Sequence, residues 1–343
     1  MKAHPWITAS ALALACATTA PHIVSAQEGG QHGGTAPSCV VTGHTAVKAD
    51  TTVYDQRSGG TAIAKLTGAK VPLAVNQIGK SASGGRVHVS TTKPSGYLRI
   101  DGWAARDGFR FFAARDLPVA GSNVWISQGQ QLSVQEGKGG KLEVSHKLLG
   151  SAGQQVKATV PCDALTLTFP TIPADEAPER SKTYQSKTNE IALYDQPRGE
   201  VVFTLRMEDE VRKVFWSTEA RGGYVHVVSR TDVTIDAWVR WRDVTALRHA
   251  ELFDPSYVAP KPWPIKTLRI QDPPAARTAT KDLPVHHKAE NSLTAIGAVE
   301  KGAQFYPMEQ SGDWTNVLPS NLGVLPAGGG FWVRTASLPK PGS

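Results

Sequence analysis

Nucleophilic catalysis needs a serine or cysteine held against a histidine, with an acid to orient the ring. The histidines here do not keep that company. Ser145-His146 is followed by no cysteine that could attack, and the chain contains no Gly-x-Ser-x-Gly elbow, no His-Glu-x-x-His helix and no phosphate-cradling glycine loop. His88 and His226 each sit in a Val-His-Val run, so if the valines face a core the histidines face the other side. A metal would require further ligands converging from other strands, and the adjacent His286-His287 pair in a turn is no better placed. The expectation is a protein with no catalytic residues, no metal site and no cofactor.

A different chemistry is available just after four glycine turns, where the chain places Arg86, Lys141, Tyr224 and Trp314. Cations at such a place can meet phosphate or carboxylate groups, and aromatic rings can stack on sugars or peptides. These four are the candidate ligand-binding residues. The tryptophans at 103, 238 and 332 are expected to pack on cores instead.

The four positions are comparable only because the chain repeats itself. Val53-Tyr54-Asp55-Gln56 returns as Leu193-Tyr194-Asp195-Gln196, and Gly84-Gly85-Arg86-Val87-His88-Val89 as Gly222-Gly223-Tyr224-Val225-His226-Val227. Ile100-Asp101-Gly102-Trp103 is echoed by Ile235-Asp236-Ala237-Trp238, with an Arg-Asp pair after each, Arg106-Asp107 and Arg242-Asp243. Three blocks in one order indicate duplication. A second kind of unit is marked by Arg115-Asp116-Leu117-Pro118-Val119 and Lys281-Asp282-Leu283-Pro284-Val285. The order is therefore A-B-A-B: unit A1 at 39–115, B1 at 116–169, A2 at 184–252 and B2 at 265–340. Between them lie a polar linker at 170–183 and a proline-rich one at 253–264, which cannot be helical. The 32 glycines and 23 prolines suit an all-β chain of short strands and frequent reversals.

Residues 1–26 read as a signal peptide: Lys2, then an uncharged apolar stretch from Ile7 to Ala20, with cleavage after Ala26. Lipidation at Cys16 is the alternative. Residues 27–38, rich in glycine and glutamine, read as flexible. The reading places the protein in the periplasm or outside the cell, where Cys39 and Cys162 are expected to form a disulfide. No other run is long and apolar enough to span a membrane. The formal charge of +7 falls by one with the loss of Lys2 and is dispersed, which favours anionic surface polymers and disfavours nucleic acid as a partner.

Within the units an apolar strand, a loop, a leucine-bearing strand, a turn, a Val-x-Val strand and a tryptophan strand follow one another, the tryptophan strand being missing from B1. That order resembles the bacterial SH3 (SH3b) family, most clearly in B2. There Thr294 to Phe305 is similar to the family's strand, Lys-Gly turn and strand, Ser311-Gly312-Asp313-Trp314 to its distal turn, and Gly330-Phe331-Trp332-Val333 to its closing strand. The resemblance implies tandem SH3-like small β-barrels that bind cell-wall peptides, glycans or anionic polymers without catalysis. A structural or protein-protein interaction scaffold in the envelope is the alternative, and an enzyme of unrecognised type comes third.

Overall fold

In the computed structural model the described residues are 39–44, 47–68, 71–76, 85–92, 98–136, 141–168, 177–247, 261, 263–264, 268–291 and 293–340. The expected signal peptide, the segment 27–38, Cys16, half of the first linker and most of the second lie outside them. Among the described residues there is no α-helix; short strands form four sheets of nine, five, nine and four strands. The all-β class follows from the alternation of the sequence. In Leu98–Ala105 the residues Leu98, Ile100, Gly102 and Ala104 are buried, while Arg99, Asp101 and Trp103 point to the other face. The core is filled by such alternate positions, with Phe112, Phe215, Phe305 and Phe331 among the largest fully buried side chains, each contributing about 2 to 3 kcal/mol.

The repeat is visible in strand register. In A1, Thr51 pairs with Leu66 and Val53 with Ala64; in A2, Ile191 pairs with Leu205 and Leu193 with Phe203. Both ladders slip at the same place, between Val53 and Tyr54 and between Leu193 and Tyr194, before the tyrosine meets its tryptophan, Trp103 or Trp238. The aspartate after each tyrosine closes the next turn: Asp55 Oδ1 accepts from Thr61 N at 2.7 Å and Asp195 Oδ1 from Glu200 N at 2.9 Å. The Arg-Asp pairs, by contrast, are not equivalent. The short 3-10 turns Arg106–Gly108 and Trp241–Asp243 both begin with an N–H donating to the carbonyl of the preceding glycine turn, Gly85 or Gly223, so Trp241 stands where A1 has Arg106.

The hairpin Leu117–Pro118 and Val124–Ile126 of B1 adds to the A2 sheet, with Ile126 opposite Val233 and Val124 opposite Ile235. The matching hairpin of B2, Leu283–Val285 and Gly297–Val299, adds to the A1 sheet, with Val299 opposite Leu98 and Gly297 opposite Ile100. Each B unit also covers an edge strand of the same A unit. Val324–Pro326 pairs with Ala64–Leu66, and Gln154 bonds Thr204 O and Arg206 N of Val201–Arg206. The two nine-stranded sheets thus join units crosswise, A1 with B2 and B1 with A2, within one body spanning Pro37–Ser343.

Cys39 and Cys162 form a disulfide with Cα atoms 5.5 Å apart. It fastens the start of A1 to the end of B1, where Leu167 N donates to Thr42 O. Closing a loop of 123 residues this way stabilises the fold by about 5 kcal/mol in the chain-entropy picture. The strand Phe111–Ala113, which ends the A1 segment, pairs into the five-stranded sheet of B1.

Candidate functional site

Tyr224 and Trp314 are each placed by a tight two-residue hairpin, while the turns before Arg86 and Lys141 lie outside the described residues. Arg221 and Tyr224 face each other across Gly222-Gly223, both at positive φ (59° and 82°), a conformation that glycine adopts without strain. Three of the four candidates are engaged within their own sheets. The Arg86 guanidinium lies 3.4 Å over the Tyr54 ring and donates to the carbonyls of Gln56 and Gly59. Tyr224, half-buried, packs edge-on against Tyr194 at 5.3 Å. Trp314 is only 6% exposed, covered by Arg334 at 4.3 Å and His286 at 5.0 Å. Burial also holds His286 below the ordinary histidine range. Lys141 is exposed.

Trp238 and Trp332 are buried and Trp103 half-buried, but none of the three belongs to the main apolar cluster. Counting by twos from core-facing Ile100 and Ile235 puts Trp103 and Trp238 on the opposite face. There each packs against the histidine of the neighbouring Val-His-Val strand, His88 at 5.1 Å and His226 at 5.0 Å. Those histidines also contact aspartates, His88 Nε2 to Asp101 at 2.7 Å and His226 Nε2 to Asp236 at 2.6 Å. Both A units therefore carry the same outer ladder of Asp, His, Trp and Tyr. An arginine tops each, Arg57 at 5.6 Å from the Trp103 ring centre and Arg221 at 5.1 Å from that of Trp238.

One end of the A1 ladder borders a cleft of ≈ 840 Å³ where B2 docks. A1 lines it with Asp55, Ser90, Arg99 and Asp101, and B2 with His287 and the run Leu293–Gly297. Its wall arises from a difference in length. Between the paired strands, the B1 hairpin runs from Pro118 to Val124, whereas that of B2 runs from Val285 to Gly297 and carries His286, His287, Leu293 and Ile296. Gly297 lets the strands close up, because a Cβ there would lie 1.9 Å from Arg99 O. Arg99 faces Asp282 at 3.5 Å, and Asp282 Oδ1 also accepts from Lys301 N at 2.9 Å. His287 Nδ1 is shielded from solvent and has no hydrogen-bond partner among the described residues.

The cleft does not include Arg86, Lys141, Tyr224 or Trp314. Its own residues were missed because they belong to two units far apart in sequence. The available signal was the longer stretch between Leu283-Pro284-Val285 and its return strand than after Leu117-Pro118-Val119. Among the described residues no group of three or more His, Cys, Asp or Glu side chains is arranged to hold a metal ion. Comparison with family models, with curated proteins and with solved structures gave no match to this chain.

Proposed function

We propose that this is an exported, non-catalytic binding protein built of SH3-like barrels in the order A-B-A-B, and that it holds a component of the cell envelope. The component is a peptidoglycan peptide or glycan, or an anionic wall polymer, and the cleft between A1 and B2 is where it sits. The observation that carries this reading is the wall of that cleft, a loop present in one copy of a duplicated hairpin and lacking in the other. Extra loop length on a rigid sheet is how binding surfaces are usually added to a scaffold. Polar groups of both signs beside apolar side chains suit recognition of a polar ligand. The disulfide supports an oxidising compartment.

The test is retention of the mature chain by isolated peptidoglycan and by an anionic wall polymer, each at low and high salt. Retention by peptidoglycan that survives salt supports the reading, and retention lost at high salt points to the polymer. Retention by neither material favours a scaffold for other envelope proteins.

A further inference from the structure

A second surface lies outside the A1–B2 cleft. The strand Gln155–Val160 ends the five-stranded sheet: it pairs on one side with Leu142–Lys147 and, among the described residues, with no strand on the other. Leu148 N donates to Gln154 O at 2.9 Å, which fixes the alternation that follows. Val156, Ala158 and Val160 turn their backbone groups to the paired strand, and Gln155, Lys157 and Thr159 turn theirs outward. Those three residues are exposed. We infer that this edge accepts an extended acidic peptide of a partner protein as an added strand, with a carboxylate opposite Lys157.

The duplicate shows the same edge in use. Asn316, two residues after Trp314, pairs with Trp332, as Glu143, two after Lys141, pairs with Thr159, so Trp332 stands where B1 has Thr159. Trp332 exchanges two backbone hydrogen bonds, each 2.8 Å, with His286 of the longer B2 hairpin. The B1 hairpin turns back at once, Ser122 N donating to Val119 O, and leaves Thr159 without that partner. Unpaired N–H and C=O groups on an exposed edge are a template for another chain. Charge selects the chain. Lys141, Lys147 and Lys157 share the outer face of these two strands, exposed and without an ion-pair partner among the described residues, against one acid, Glu143. A second copy does not suit the edge: in the antiparallel register that uses all three outward residues it sets Lys157 against Lys157, and like charges face to face oppose pairing.

The experiment is fluorescence-anisotropy titration of the full mature chain into the labelled peptide Thr-Glu-Val-Glu-Val-Thr, its form N-methylated at both glutamates, and Thr-Lys-Val-Lys-Val-Thr. The acidic peptide should bind saturably and slow amide exchange at Gln155, Lys157 and Thr159. The N-methylated form keeps the charge but loses the pairing N–H groups, and it should bind about tenfold more weakly or not at all. Lys157→Glu, an exposed change, should weaken the acidic peptide about tenfold and let the lysine peptide bind. Thr159→Pro removes an outward N–H that the sheet does not use and should abolish binding of both; Lys157→Glu keeps the test valid if that variant fails to fold. No binding of the acidic peptide, equal binding of its N-methylated form, unchanged affinity in Lys157→Glu, or exchange protection confined to other strands would overturn the inference. Dimerisation of the unaltered chain that Thr159→Pro removes would assign the edge to a second copy and also overturn it.

Discussion

The two seams where a B hairpin joins an A sheet share one backbone register and almost none of their side-chain chemistry. Ile126 on Val233 and Val299 on Leu98 are the same step of the same ladder. At the B1–A2 seam the space around that step is closed by buried ionisable groups. Asp232 is 1% exposed and accepts from Leu149 N at 2.8 Å and from Thr231 Oγ1 at 3.1 Å. His146 Nε2 lies 3.6 Å from its carboxylate, and the buried Lys213 Nζ donates to Thr231 Oγ1 at 2.7 Å. At the A1–B2 seam the position matching His146, five residues after Trp314 as His146 is five after Lys141, is Pro319, opposite Phe305. That seam has an ion pair at its rim, Arg99 with Asp282, and the open cleft. Backbone pairing thus sets where the units meet, and side chains decide whether the joint is sealed or left open for a ligand.

The largest effect should come from breaking the sealed seam. Asp232→Ala removes a buried carboxylate that sits beside His146 and leaves the Leu149 N–H without its acceptor, and should cost about 3 to 5 kcal/mol of unfolding free energy by chemical denaturation. Acid probes the same group. Burial pushes the Asp232 carboxyl up, but His146, Lys213 and the Leu149 N–H outweigh it and hold the group below the ordinary carboxylate range. A carboxyl depressed in the folded state adds stability above its unfolded pKa, about 4, and that stability is lost as pH falls through the folded value. The sealed seam should therefore lose stability below about pH 4, and this part of the acid slope should vanish in Asp232→Asn. An unchanged slope would show that Asp232 is not what makes the seams differ.

At the open seam the expected effects are smaller. Gly297→Ala forces a methyl group against Arg99 O and should cost about 1 to 3 kcal/mol, since the paired strands must move apart. The matching position in the other seam is already a valine, Val124, so close approach is peculiar to the cleft side. Asp282→Ala should cost about 1 kcal/mol or less, because its pair with Arg99 is substantially exposed. A loss as large as that of Asp232→Ala would mean that the rim pair, not only the ladder, holds B2 on A1.

Much of the fold was legible in particular residues. Matched blocks around Tyr54 and Tyr194 revealed the duplication, because paired strands in both copies need the same spacing of turn and apolar residues. The expectation of export, with two cysteines left beyond the expected signal peptide, indicated their pairing, and Val-His-Val put the histidines on the outer face. The face of Trp103 was misjudged although the period of two contained the answer: it lies three residues after core-facing Ile100, so it shares a face with Asp101. Matching the Arg-Asp pairs also misled, since one residue separates the two 3-10 turns from that alignment.

By itself the sequence determined the all-β class, the matched blocks around Tyr54 and Tyr194 and the disulfide, because each depends on local alternation, on turn residues or on a count of thiols. Tertiary structure decided which units share a sheet. An edge strand can pair with any strand that presents free N–H and C=O groups, and nothing in its own residues names the partner. The crosswise choice brings Asp55 and Asp101 of the first unit to His287 and Leu293 of the last. A cleft assembled from such distant stretches exists only once long-range packing has brought its walls together.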